Sequence, residues 1–283
     1  MDQTTGNDYT VRIFQGSVED TSAVNFSIVA VRKHDLLGSW SSGVFSLNSD
    51  TGGWTLITSS VASKIAAGDM DSDAIADLVG DFPATGLWVK YSSTGQWQFI
   101  SSSPTWIAVG DYTGDGKADL AGIWGDVVWL RDSTNGSWTS GPSGATQIAL
   151  GDMDGDGIAD LIGNWPTTGV WVQYSSTGVW TNLSLSPATF ITEGDFNGDG
   201  KADLVGIWGD EVRLKDSETG NWTTIYTGPA PIQITAGDLD GDGKADLVGT
   251  WLTTGVWVQY SSTGAWASLT TDPGTWITTG ILR

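Results

Sequence analysis

Gly151-Asp152-Met153-Asp154-Gly155-Asp156-Gly157-Ile158-Ala159-Asp160 is an acidic loop that runs directly into the apolar Leu161-Ile162-Gly163. Within the nonapeptide 152–160, aspartates stand at positions 1, 3, 5 and 9 (Asp152, Asp154, Asp156 and Asp160). Carboxylates at that spacing suit a hard cation that takes six or seven oxygens, with the backbone carbonyl of position 7, Ile158, as a further ligand. Glycine at position 6 permits the positive φ by which such a loop wraps an ion. The pattern returns at 69–77, 111–119, 195–203 and 238–246. The expected ligands there are Asp69, Asp71, Asp73, Ile75 and Asp77; Asp111, Thr113, Asp115, Lys117 and Asp119; Asp195, Asn197, Asp199, Lys201 and Asp203; and Asp238, Asp240, Asp242, Lys244 and Asp246. Calcium is the expected ion, up to five of them. Magnesium demands a tighter octahedron, and zinc would want histidine or cysteine, of which this chain has one and none. The loops at 152 and 238 keep every acid and the glycine and are expected to bind best. Asn197 and Thr113 weaken two others at position 3, and Ala74 replaces the glycine in the first.

The loops recur in phase with a longer repeat. Asp-Leu-x-Gly begins at Asp35, Asp77, Asp119, Asp160, Asp203 and Asp246, a period of about 42 residues. Each unit holds four short apolar segments. In one unit, 105–109 (strand A) precedes the acidic loop, 119–124 (B) follows it, 127–130 is C, and Trp138 opens D after the turn Asn135-Gly136. The Gly-x-Trp turn recurs at Trp54, Trp97, Trp138, Trp180, Trp222 and Trp266, a hairpin signal in every unit. Four short strands per repeat with no helical periodicity predict an all-β fold, a β-propeller of four-stranded blades, rather than a solenoid. The chain reads as one propeller domain over 1–283, with repeats near 25–63, 64–105, 106–146, 147–189, 190–232 and 233–275. Alternate units share a longer B–C turn and Tyr-Ser-Ser-Thr-Gly after strand C, which marks a pair of blades as the unit of duplication.

Segments resembling B, C and D occur six times, while an A-like segment is counted seven times, the last at 275–279. That count predicts seven blades, the ring closed by 276–283 together with 1–24; six blades is the alternative. Closure of either kind removes exposed sheet edges.

Composition narrows the function. The formal charge of -21 argues against nucleic acid and anionic membranes as partners, and more than half of the 33 acidic residues sit in the five loops. There are no cysteines, so neither disulfides nor thiol chemistry is available. No apolar run of transmembrane length and no leader-like segment is present, so the chain reads as a mature protein or an excised domain. His34, the one histidine, reads as solvent-exposed, and no nucleophile–base pair repeats with the blades, so catalysis is not expected. Several modest calcium sites fill more readily outside the cell, which favours a secreted or cell-surface location.

The pattern Gly-Asp-x-[Asp/Asn]-Gly-Asp-Gly-x-Ala-Asp-Leu-[Val/Ile]-Gly resembles the FG-GAP repeat, also called VCBS-type, over residues 64–283. The resemblance implies a calcium-binding propeller like the heads of integrin α subunits and calcium-containing fungal propeller lectins. The repeats here are shorter than those of integrins, and Gly-x-Trp stands in place of Gly-Ala-Pro.

In a four-stranded meander the A–B loops and C–D turns share one face, and the B–C turns and D–A connections the other. Trp40, Trp124, Trp165, Trp208 and Trp251 end strand B and approach that second face, beside prolines of the D–A connections. Flat aromatic surface beside hydroxyls and amides suits a sugar ring. These five tryptophans are the expected ligand contacts, and the expected partners are glycans, or alternatively a protein in adhesion or surface assembly.

Overall fold

A computed structural model describes residues 32–282. It holds 24 strands in six four-stranded antiparallel sheets, each strand five or six residues long. The inner strands A are Lys64–Gly68, Trp106–Gly110, Gln147–Gly151, Phe190–Gly194, Gln233–Gly237 and Trp276–Gly280, and they define blades 1 to 6. Each inner strand packs against those of the two neighbouring blades, and the ring closes between blade 6 and blade 1.

Among the described residues the propeller has six blades, not seven. Trp276–Gly280 pairs with Asp35–Trp40, in register Leu36↔Thr279 and Gly38↔Ile277. The C-terminal strand therefore fills the A position of the blade whose B, C and D strands come from Asp35–Trp40, Gly43–Leu47 and Trp54–Thr58. No unpartnered inner strand is left over, so no seventh blade is required. The proposed closure by 1–24 lies outside the described residues.

The repeat signature is explained by packing. Strand B is buried over nearly its whole length, with Leu161 and Ile162 fully inside. Gly163 lies beneath the indole of Trp165, and a Cβ there would meet the ring at 2.4 Å. The glycine of Asp-Leu-x-Gly thus gives the tryptophan two residues on room to fold back along its own strand. The glycine ending strand A has a different task. A Cβ at Gly110 would come within 2.8 Å of the Leu150 Cβ in the next blade, so this position sets the closeness of neighbouring blades.

At the face away from the acidic loops, Trp106, Phe190 and Trp276 open the inner strands of blades 2, 4 and 6. Their rings meet at centroid distances of 5.1, 5.1 and 5.9 Å and close the centre of the ring. In two of the intervening blades Gln147 and Gln233 bridge to the next blade, donating to Thr189 and Ile277 carbonyls and accepting from the Ile191 and Ile277 amides. The alternation is the blade-pair duplication expressed in the core.

Candidate metal centres and an aromatic face

The five acidic loops share one internal architecture. Position 1 caps the loop: Asp152 accepts the amides of Gly155 at 2.7 Å, Asp156 at 3.1 Å and Gly157 at 2.8 Å. Position 9 is wholly buried at the start of strand B. Asp160 accepts the Met153 amide at 2.9 Å and the Ser175 amide at 2.8 Å, and the Ser175 hydroxyl at 3.2 Å. Ser176 Oγ holds Asp154, position 3, at 2.7 Å. The loops of blades 1 and 5 repeat this through Ser92 and Ser93, and through Ser261 and Ser262. These serines belong to the Tyr-Ser-Ser-Thr-Gly turns. Their role was missed at the level of sequence although the turn itself was seen; its recurrence only beside fully acidic loops was the available signal.

Positions 1, 3 and 9 converge. In the sets Asp69–Asp71–Asp77, Asp152–Asp154–Asp160 and Asp238–Asp240–Asp246, one carboxylate oxygen from each residue lies within 4.8 Å of the others, close enough to hold a metal ion. In the loops of blades 2 and 4, Thr113 and Asn197 occupy position 3, so no trio of carboxylates assembles there. Position 5 is engaged differently: Asp73, Asp115, Asp156, Asp199 and Asp242 each accept the amide of position 7, at 2.8 to 3.0 Å. Position 7 thus contributes its amide to the loop in Ile75, Lys117, Ile158, Lys201 and Lys244 alike.

The donor set fits a hard cation. It is all oxygen and mostly anionic, and one of its atoms, Asp71 Oδ1, is buried with no hydrogen-bond partner. Burial chiefly, with neighbouring aspartates adding to it, raises the carboxyls of Asp77 and Asp160 above their ordinary value and pushes Asp203 and Asp246 up to about 6. Carboxylates crowded in this way repel one another until a cation or a proton joins them.

The loops also tie the blades together. Ala118, Ala159, Ala202 and Ala245, at position 8, donate their amides to the position-1 carbonyls of Asp69, Asp111, Asp152 and Asp195 in the preceding blade, at 2.6 to 2.7 Å. At the seam between blades 5 and 6 His34 stands in the alanine's place. Its amide donates to the Asp238 carbonyl at 2.6 Å, and its Nδ1 accepts the Asp238 amide at 3.1 Å. His34 is therefore half-buried rather than solvent-exposed, because the seam places it at position 8. Burial lowers its pKa, against the opposing pull of Asp238. Ile281 occupies position 1 of this sixth loop, while Asp35 keeps position 9 and accepts the Ser49 amide at 2.8 Å.

The first loop carries backbone strain. Ser72 and Ala74 have φ of 68° and 65°, where the other four loops have glycine at both positions. Each costs about 1 kcal/mol relative to glycine. Ser72→Gly and Ala74→Gly are each expected to stabilise the protein by about that amount, read as a shift in the denaturant midpoint.

On the opposite face, every B-end tryptophan is anchored. The indole nitrogens of Trp40, Trp124, Trp208 and Trp251 donate to the carbonyls of Asp272, Ser102, Ser186 and Pro229 in D–A connections, and that of Trp165 to Ser143 at the end of a strand D, at 2.7 to 3.1 Å. Each also meets a strand-D tryptophan edge to face: Trp54, Trp138, Trp180, Trp222 and Trp266 respectively, at 5.2 to 5.6 Å. Trp40 is buried and the other four are half-buried.

Three blades add a third tryptophan from strand C, Trp129, Trp171 and Trp257 in blades 2, 3 and 5, and in the last two it lines a cleft with the other two indoles. In blade 5, Trp251, Trp257 and Trp266 with Thr254 and Pro229 enclose a cleft of about 320 Å³. In blade 3, Trp165, Trp171 and Trp180 with Thr168 and Pro142 enclose one of about 270 Å³. Trp171 and Trp257 were not among the expected contacts, although both follow the longer B–C turn in sequence. In blade 1 the equivalent Trp88 is covered by Phe99, with ring centroids 5.3 Å apart.

A closed ring of blades linked by acidic loops defines a β-propeller of tandem repeats. The FG-GAP-like repeat model matches residues 195–249, and the repeats are of that kind. No curated protein matches the chain in sequence. Among solved structures, a chain of the nidogen/laminin complex aligns with a TM-score of 0.62 at 13% identity, over 87% of this chain and 98% of that one. TolB from Acinetobacter baumannii aligns with a TM-score of 0.61 at 13% identity, over 88% of this chain and 66% of that one. At such identities the likeness concerns the fold. Among the described residues no helix is long and apolar enough to cross a membrane.

Proposed function

We propose that this protein is a calcium-stabilised, multivalent carbohydrate-binding module that acts outside the cell and performs no catalysis. The observation that carries the sugar reading is the pair of equivalent three-tryptophan clefts in blades 3 and 5. An indole face supports the C–H side of a sugar ring, and Thr168 or Thr254 offers a hydroxyl at the rim. Two such sites on one rigid ring raise avidity for a surface bearing many copies of the ligand. Calcium is the ion best suited to three all-oxygen trios. Its part is to neutralise buried aspartates and lock the loops that join one blade to the next, on the face opposite the clefts.

A glycan array probed in calcium tests this. Binding is expected to fall by about tenfold or more for Trp171→Ala and Trp257→Ala, which corresponds to loss of about 1.4 kcal/mol or more per stacked ring. Absence of any glycan binding at high protein density would sink the lectin reading. A second reading, a protein-binding adhesion or assembly propeller, is favoured by two leucines on the cleft face. Leu252, 69% exposed, sits in the B–C turn of blade 5, and Leu185, 81% exposed, follows strand D of blade 3. Under that reading Leu252→Asp disrupts binding while Trp257→Ala does not.

A further inference from the structure

A second cavity adjoins the blade 3 cleft. In five blades the residue at the strand-D bulge is large and apolar. Ile57, Ile100, Leu183, Ile225 and Leu269 pack into or against the core between their own blade and the next. Blade 2 has Gly141 there, and no strand-D residue reaches the core between blades 2 and 3. A cavity of about 490 Å³ results, within the range of about 300 to 1,000 Å³ usual for small-molecule sites.

Strand register decides which side chains face this cavity. Leu130 belongs to the core between blades 2 and 3, and Thr139, its cross-strand partner, shares that face. Across the gap Gln173 pairs with Trp180, and Trp180 packs against the same core. Tyr112 packs against it from the acidic loop of blade 2. Gln173 donates through Nε2 to the Gly178 carbonyl, which leaves its Oε1 to accept. Pro142 and Trp180 line both this cavity and the blade 3 cleft, so the two adjoin. Blade 5 has no such extension. There Ile225 stands in the place of Gly141 and fills the core, and Tyr226 stands in the place of Pro142. The Tyr226 ring meets Trp251 and Trp266, each at 5.6 Å, and walls off the end of that cleft.

We propose that the blade 3 site is extended and takes a linear, neutral oligosaccharide of two or more rings, whereas the blade 5 cleft takes a single ring. The inference rests on the glycan reading of the blade 3 cleft and adds a preference for chain length to it. One ring lies among Trp165, Trp171 and Trp180, and the chain continues past Pro142 into the cavity. There Tyr112 and Leu130 offer apolar wall to its C–H faces, and Thr139 and Gln173 offer partners to its hydroxyls. The side chains that the register turns toward the cavity are all uncharged, which suits a neutral chain.

The test is calorimetric titration with glucose, cellobiose and cellotetraose, whose equatorial rings present flat C–H faces, on variants that isolate each cleft. In Trp257→Ala, where blade 3 alone reports, cellotetraose binds about tenfold or more tighter than glucose. In Trp171→Ala, where blade 5 alone reports, the two bind within about threefold of each other. Adding Gly141→Leu to Trp257→Ala restores the filling residue, where an added Cβ meets Val128 at an ordinary 3.5 Å, and abolishes the length preference. Adding Gln173→Ala instead weakens cellotetraose by about threefold or more at unchanged glucose affinity. The proposal is overturned if Trp257→Ala binds cellotetraose no tighter than glucose, or not at all. It is also overturned if Trp171→Ala shows the same length preference, or if the preference survives both added substitutions. Glycan binding retained in any of these outcomes leaves the broader glycan reading standing, and a protein that binds no glycan in either variant defeats both.

Discussion

Removing divalent cations from the calcium-loaded protein with a chelator lowers the melting temperature by about 15 to 25 °C. The figure follows from three carboxylate trios, each contributing about 2.7 kcal/mol at a hundred-fold excess of ion over its dissociation constant, spread over a domain of this size. The loops stand where each blade meets the next, through the position-8 amides, so loosening one loop loosens a seam of the ring. The effect has a definite pH dependence. Asp203 and Asp246 titrate at about 6 in the folded, ion-free protein, above the unfolded value near 4. The folded state then holds the proton more tightly. In chelator, these groups favour the fold most at low pH, and that contribution is lost as pH rises from about 4 to about 6. A bound calcium ion is expected to replace the proton. Its stabilising increment is expected to be larger at pH 7.5 than at about pH 5, as paired melting curves at the two values would show.

Asp160→Ala destabilises the protein by about 4 kcal/mol even in chelator, measured by urea unfolding. Asp160 is wholly buried and accepts the Met153 amide and both the amide and hydroxyl of Ser175, so truncation leaves three donors without a partner. Asp156→Ala is the contrast. Position 5 makes an exposed bond to the Ile158 amide at 2.8 Å, and its loss costs about 1 kcal/mol in chelator. In calcium the same variant separates two roles for position 5. A residue that only caps the loop leaves calcium affinity almost unchanged, and a residue that ligates lowers it about tenfold or more.

The architecture was legible because its signals are periodic. Asp-Leu-x-Gly and Gly-x-Trp recur in all six blades and the acidic nonapeptide in five, and the packing behind them is shared: a buried aspartate at the start of strand B, a closely packed inner-strand end, and an aromatic ring folded over the strand-B glycine. The blade count was misread where periodicity ends. The strand Trp276–Gly280 looks like the start of another blade, and nothing within 276–280 says that its partner is Asp35–Trp40, more than two hundred residues away. His34 was misplaced for the same reason, since its environment is created by the seam. The site was legible in part. Positions 1, 3 and 9 converge as their spacing implies, whereas the hydrogen bond that each position-5 carboxylate makes to position 7 is a matter of loop geometry. Clefts arose where single residues depart from the repeat: Phe99 covering one cleft, Gly141 opening another.

The central claim is that the repeated acidic loops are cation sites that hold the ring together. Native mass spectrometry of the protein desalted and then titrated with calcium tests it most directly, because it counts bound ions on the folded molecule. The account predicts at least three tightly retained calcium ions, one of which is lost in a folded Asp154→Asn variant. A folded protein that retains no calcium at saturation, with the same mass in Asp154→Asn apart from the substitution, would contradict it.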